Sequence, residues 1–367
     1  MKRWIYFLSV LLLMGCSDTH IVEDVGFINS MALDVPEDEE QKNKILVTAS
    51  IPQINTRTEN EREVLSAVAN SDKEAMMELS SASNRQLLNG KMELLLFGEG
   101  FAEGGIDNNI KTFSRDPKFS GAIHVVVAEG QAKSVLEPMM PNKENPSIYL
   151  EELIEKEIRA NTAIKTDLHD FLRDLHDKGK DPVTALVTLR DDEPMINGIA
   201  LFQNEKMVDT MPLSLVRYYM FLAGFFSAGS LGFEHEDHGE KAPLTFNCIR
   251  NDRRITVDYT NIDDIKVTVH LTVKGSLLEY NGDMDMSDNK DQTALEKIIE
   301  EHITQIGDGI IATLQEQQVD PIGIGKHVRN HIDYQTWQEM NWREDVYPNV
   351  DVEIKTDVTI KDIGVTK

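Results

Sequence analysis

The chain has 367 residues, 41% of them hydrophobic and 27% charged, which is enough for two or three domains with hydrophobic cores and excludes a disordered or fibrous protein. With 37 Lys and Arg against 63 Asp and Glu, its net charge of −26 repels phosphate backbones and anionic headgroups, leaving no electrostatic basis for nucleic-acid binding. Two cysteines, Cys16 and Cys248, exclude a disulfide framework and a four-cysteine zinc site.

Lys2 and Arg3 precede the apolar run Trp4 to Met14, too short to span a bilayer of roughly 30 Å, so the first residues read as a secretory signal. The run ends in Leu13-Met14-Gly15-Cys16, which resembles the lipobox of bacterial lipoproteins and implies removal of residues 1–15 and lipidation of Cys16. An uncleaved signal anchor is the alternative. No later segment has the roughly twenty consecutive apolar residues of a spanning helix. The nearest, Leu213 to Leu231, contains Arg217 and follows Pro212, so it fits a buried amphipathic helix.

Glu23 to Val35 and Lys44 to Pro52 predict strands on either side of an acidic connector, Pro36 to Asn43. From Arg62 to Leu88 the apolar positions Leu65, Val68, Ala75, Met76, Leu79 and Leu87 recur at helical spacing and predict a helix stopped by Asn89-Gly90. Met92 to Phe97 reads as a strand, Gly98 to Ser114 as a helix, Arg115-Asp116-Pro117 as a turn and Ala122 to Ala128 as a buried strand, a βαβ-like order. Ser147 to His176 reads as one long amphipathic helix, ended by Gly179 and followed by a strand from Val183 to Leu189. Asp191-Asp192-Glu193-Pro194 suggests a domain boundary, because a proline after three acids suits neither a ladder nor a core. Beyond it come a hairpin (Ile196 to Phe202, Lys206 to Thr210) and a helix after Pro212. Leu244 to Ile249, Ile255 to Tyr259 and Ile265 to Val273 alternate as strands with one wet face, Gln292 to Gln318 is helical, and Val350 to Ile363 alternates again.

The chemistry-bearing clusters are weak. His235-Glu236-Asp237-His238 is ligand-rich but reads as a solvated loop without a third anchor. Asp285, Ser287, Asn289 and Glu296 match a calcium-loop spacing, yet Lys290 stands where the turn needs glycine, so capping of the next helix by Asp291 is the simpler reading. His169, Arg173 and His176 share a helical face, as do His327 and His331, with no acid or cysteine placed beside them. Cys248 reads as a packed strand residue. Neither a nucleophile elbow, a phosphate-cradling loop nor a His-Glu-x-x-His helix is present, so no metal, cofactor or catalytic set is assigned.

Three stretches together carry a resemblance to a known family. The first runs from Ala75 through Ser83, Arg85, Leu87 and Gly90 to Phe97-Gly98-Glu99 and Arg115-Asp116-Pro117, with Lys91 where the family often has histidine. The second is Gly198-Ile199-Ala200-Leu201-Phe202 with Lys206-Met207-Val208. The third is Asp320-Pro321-Ile322-Gly323-Ile324-Gly325, followed by Trp337, Trp342 and Tyr347-Pro348. Together they resemble the Ger(x)C family, the lipoprotein C subunits of spore germinant receptors, and the resemblance runs from Cys16 almost to the end. It implies a non-enzymatic, membrane-tethered subunit on the outer face of the inner spore membrane, assembled with integral-membrane A and B subunits into a receptor for small nutrients.

The fold expected is α+β, with three domains of mixed or antiparallel sheet and packed helices after a lipoprotein signal peptide. The expected divisions are a signal over 1–15, an N-terminal α/β domain over 16–193, a small middle domain of hairpin plus helix over 194–243, and a C-terminal α+β domain over 244–367. Arg85 and Asp116 are expected to serve buried structure. Pro321 stops the preceding helix, Gly323 and Gly325 permit backbone conformations closed to other residues, and Trp337 and Trp342 either lock the terminal segment or present an anchor to another subunit. The competing function is a lipid-anchored solute-binding protein of a transporter, which calls for two similar lobes around a hinged cleft. A surface hydrolase lacks a converging catalytic set.

Overall fold

The structure, a computed structural model, describes residues 24–52, 62–138, 145–237, 240–262 and 264–363. Cys16 and the signal peptide expected over residues 1–15 lie outside the described residues.

In chain order the first half contains β1 (Val25–Phe27), β2 (Ser30–Asp34), β3 (Ile45–Pro52), β4 (Arg62–Ala69), α1 (Asp72–Ala82), β5 (Gln86–Leu88), β6 (Leu94–Gly98), α2 (Glu99–Gly104), α3 (Asp107–Arg115), β7 (His124–Ala128), α4 (Ala132–Leu136), α5 (Pro146–Arg159), α6 (Leu168–Leu175), β8 (Val183–Arg190), β9 (Glu193–Gln203) and β10 (Lys206–Pro212). The second half contains α7 (Leu213–Ala223), β11 (Gly229–Asp237), β12 (Glu240–Asn261), β13 (Asp264–Tyr280), α8 (Asn289–Glu316), α9 (Ile324–Arg329), α10 (Tyr334–Glu339) and β14 (Asp351–Ile363). The result is a mixed α+β fold.

Eight strands form one sheet in the order β10-β9-β8-β7-β6-β2-β3-β4, with β2, β6, β7 and β8 parallel and the flanking hairpins antiparallel. The parallel strands read as unbroken apolar runs because both faces are covered. Leu95, Phe97, Val125 and Val127 pack with Ala75, Leu79, Ile110 and Phe171. Leu94, Leu96 and Val126 point the other way, onto Val135, Leu150 and Ile154.

The second sheet runs β11-β12-β13-β14, with β14 parallel to β13. Along β13 every second residue, Ile265, Val267, Val269, Leu271 and Val273, is buried in the same core as Leu295, Ile299 and Ile303 of α8. The edge of β14 is covered: Glu300 and Glu296 of α8 accept the N–H groups of Val358 (2.9 Å) and Ile360 (2.8 Å). Helix α7 joins the two sheets, since Val216, Tyr219 and Phe221 share one core with Val183 and Leu201 of the first and Leu271 of the second.

Several elements differ from the sequence pattern. Arg62 to Ala69 is a strand paired with β3: Leu65 and Val68, three apart, fit a helix, but Leu65, Ala67 and Ala69 also alternate, and that is the face the strand turns to the core. Helix α1 begins only after Ser71, whose side chain accepts the Glu74 N–H. Gly105, at φ 108°, divides Gly98 to Ser114 into two helices. The long helix over Ser147 to His176 is also two, interrupted at Asn161 (φ 53°); the connection returns to β7, where Val125 N–H donates to Thr166 (3.1 Å). Asp288, not Asp291, caps α8.

The sheet does not divide at residue 193. Asp191 and Asp192 adopt φ values of 52° and 62°, forming a tight reversal, and Pro194 pairs with Leu189. The 194–243 segment is correspondingly not a separate body: β9 and β10 complete the first sheet, while β11 pairs with β12 in the second. His235 lies in β11 rather than in a loop.

Candidate functional site

Tertiary structure gathers the third motif and a charged stretch 140 residues earlier into one buried cluster between the sheets. After α8, Asp320 turns the chain with its carboxylate inward and fully buried. Its Oδ1 accepts the N–H groups of Gly323 (2.8 Å) and Ile324 (2.9 Å), and its Oδ2 accepts those of Gly325 (2.6 Å) and the Trp342 indole (3.1 Å). Gly323, at φ 80°, permits the turn that aims three successive N–H groups at one side chain.

Asp181, on the loop between α6 and β8, is the second buried carboxylate. Its Oδ2 accepts the Asp320 N–H (2.8 Å), its own N–H donates to the Asp320 carbonyl (3.0 Å), and its Oδ1 accepts Arg343 Nε (2.6 Å). The same guanidinium donates to the carbonyls of Asp177 (3.0 Å) and Lys180 (3.3 Å). Asp177 holds Arg329 at 2.9 Å, and the Lys326 N–H donates to the Gly179 carbonyl at 3.0 Å. Every one of these bonds crosses from the 177–181 loop to the segment after α8.

Two glycines allow this approach. A Cβ on Gly179 would stand 2.7 Å from the backbone of Gly325 and Lys326, and one on Gly325 would collide with the Trp342 indole. Trp337 and Trp342 are buried, with ring centroids 5.8 Å apart, and Trp342 packs tilted against Tyr347 at 5.7 Å. The indoles thus lock the terminal segment. The Pro321 carbonyl accepts the buried Tyr219 hydroxyl of α7 at 3.2 Å, tying the turn to the helix that joins the sheets.

Burial pushes the Asp320 carboxyl up to about 6, against the Gly325 and Ile324 N–H groups that hold it down, and Asp181 pushes it further. Burial also raises Asp181, opposed by the Arg343 charge. Both carboxylates are shielded from solvent and their oxygens are engaged. This geometry can hold two sheets in register and offers no reacting group to a substrate.

The first motif lies elsewhere. Arg85 sits beside β5, a three-residue strand paired only with β1, and is half-buried at the rim rather than in a core. Asp116 is also half-buried, accepting the Lys118 N–H at 3.0 Å, while Gly90, Arg115 and Pro117 are exposed. The turn ends the short helix α3 at the surface, which leaves these side chains no core to enter. Gly198, in the second motif, is where β9 and β10 approach so closely that a Cβ would strike the Met211 carbonyl.

Among the described residues no group of three His, Cys, Asp or Glu side chains could hold a metal ion. Cys248 is buried in β12, and burial pushes its thiol up to about 11, which keeps it protonated and unreactive. Asp181 and Arg343, the core of the cluster, carry no local pattern that marks them; the alternating charges of Asp177-Lys178-Gly179-Lys180-Asp181 are the one hint.

Residues 18–189 match the family model described as spore germination protein N-terminal domain, and residues 197–364 match spore germination B3/GerAC like, C-terminal. The gap between them coincides with the β8–β9 reversal. The chain is similar to spore germination protein GerQC of Bacillus cereus, 27% identical with 100% of both chains covered. It is also similar to the putative spore germination protein YfkR of Bacillus subtilis, 22% identical over 100% of this chain and 98% of that one, and to spore germination protein A3 of the same organism, 22% identical over 98% and 96%. A crystal structure of the GerBC protein shares the fold, with a TM-score of 0.61 over 90% of this chain and 97% of that one at 16% identity. Together the two models account for almost the whole chain, and it belongs to the spore germination B3/GerAC-like family of germinant receptor C subunits.

Proposed function

We propose that this chain is a non-enzymatic, lipid-anchored subunit of a nutrient germinant receptor that assembles with integral-membrane A and B subunits to trigger spore germination. The observation that carries the reading is the co-linear match of both family modules, over residues 18–189 and 197–364. Cys16 bears the diacylglycerol and palmitate in this reading and places the protein on the outer face of the inner spore membrane. Eight residues lie between Cys16 and Val25, so nine residue steps give a tether of at most about 30 Å and the folded body stays close to the bilayer. Among the described residues no helix is long and apolar enough to cross a membrane, and attachment rests on Cys16 in this reading. The buried Asp181–Asp320 cluster supports a coupling role, because it makes the two sheets one mechanical unit.

A solute-capturing lipoprotein would need two similar lobes, whereas the two sheets here differ in strand number and order. The test is affinity recovery of a C-terminally tagged chain from gently solubilised spore membranes. Two polytopic receptor subunits in comparable amounts are expected. Transporter components in their place would refute the assembly role.

A further inference from the structure

Helices α1 and α3 and the end of β5 enclose an open cavity of about 470 Å³ on the face of the first sheet remote from the Asp320 cluster. Its wall is apolar, built from Met31, Met76, Leu87, Phe113 and Phe119, with the two phenylalanine rings edge to face at 5.0 Å. Three carboxylate or amide side chains also line it, and each has acceptor capacity to spare. Asp72, only 9% exposed, takes one bond, from Asn109 Nδ2 to its Oδ1 at 2.8 Å, and no cation pairs with it among the described residues. Asn89 Oδ1 is shielded from solvent and has no partner. Asp116 uses Oδ1 for the Lys118 N–H and leaves Oδ2 free.

A buried carboxylate held by one neutral amide is costly unless a donor or cation reaches it, and an unmatched buried acceptor adds to that cost. Burial accordingly raises the Asp72 carboxyl. Lys73 and Lys118 also border the cavity, but both are exposed, so their charges stay hydrated while the Asp72 charge does not.

We propose that this cavity binds a small organic molecule with an apolar body and a primary ammonium group, the ammonium donating to Asp72 and Asn89 and the body lying against Met76, Phe113 and Phe119. The ammonium supplies three donors on a compact head, which fits a site rich in acceptors and poor in buried donors. This inference is independent of receptor assembly, since the site lies within the first sheet and its helices.

The test is calorimetric titration of the full chain in nanodiscs with 3-methylbutylamine, and with 3-methylbutan-1-ol as the neutral molecule of the same shape; empty nanodiscs provide the partition baseline. The amine is expected to bind at least about 10-fold more tightly than the alcohol, and Asp72→Asn to bring it down to the alcohol's level. Ser80→Phe, a change at an exposed residue on the cavity rim, fills the space without touching the core and is expected to abolish both signals. Equal binding of amine and alcohol, undiminished amine binding by a folded Asp72→Asn chain, or no binding of the amine above the baseline would overturn the proposal.

Discussion

Replacing Asp320 with alanine removes the acceptor of four buried hydrogen bonds, from Gly323, Ile324, Gly325 and Trp342. A buried donor left without a partner costs about 1–3 kcal/mol, so four at the low end give about 4 kcal/mol. Relief of the repulsion with Asp181 offsets this by on the order of 1 kcal/mol, leaving a net loss of about 3 kcal/mol. Asp320→Asn keeps Oδ1 for Gly323 and Ile324 and loses only the pair at Oδ2, where its amide faces two other donors. With the same offset, its cost falls to about 1 kcal/mol. The assay is urea unfolding followed by tryptophan fluorescence, and it reads this site directly: apart from Trp4, outside the described residues, the tryptophans are Trp337 and Trp342. An alanine variant within about 1 kcal/mol of the parent, or an asparagine variant as damaged as the alanine one, would refute the acceptor-counting argument.

The pH dependence has a definite sign. The folded carboxyl of Asp320 is raised to about 6 from 3.8, so the folded state binds the proton more readily, and this group adds stability as pH falls through 6 toward 4. The stability difference between the parent and Asp320→Asn is therefore expected to grow from pH 7 to pH 5 in denaturant titrations; a difference that shrinks contradicts it. Asp177, lowered by the Gly179 N–H and the Arg329 charge against its burial, acts in the opposite sense, its contribution being lost as pH falls through its folded value. Arg343→Met leaves the buried Asp181 carboxylate without its cation and is expected to cost about 3–5 kcal/mol, read as a shift of the unfolding midpoint. Gly179→Ala forces a Cβ onto the Gly325 backbone and is expected to cost about 1–3 kcal/mol. Gly90→Ala, with nothing within 4 Å of the added carbon, should stay within about 0.5 kcal/mol, and equal effects of the two would show that the close approach is not what constrains Gly179. Cys16→Ala is expected to move the protein from the membrane fraction to the soluble fraction on cell fractionation, and continued tight association would show that attachment does not rest on the lipid.

The strands of the second sheet were the most legible elements. Ile265 to Val273 alternates strictly because one face meets α8 and the other meets water, and that asymmetry is written into every second residue. The same logic failed over Arg62 to Ala69, where Leu65 and Val68 fit a helical spacing and Leu65, Ala67 and Ala69 an alternating one, and only pairing with β3 chose between them. It failed again at Pro194, since the Asp191-Asp192 reversal lets a proline at a strand's first residues pair without donating.

The composition, the charged and apolar start, the apolar runs of β6 and β7 and the ordered motifs around Arg85, Gly198 and Asp320 are local or sequential properties. They determined the α+β class and the family by themselves. What joins the two sheets is set by neither spacing nor propensity. Asp181 and Asp320 lie 139 residues apart, and each in isolation reads as an ordinary loop aspartate. They meet because α7 holds the sheets against one core, because Gly179 and Gly325 let two backbones touch, and because buried acceptors must be filled by whatever donors the fold brings to them. That requirement acts only after the chain has folded, so only the tertiary structure decided which residues satisfy it.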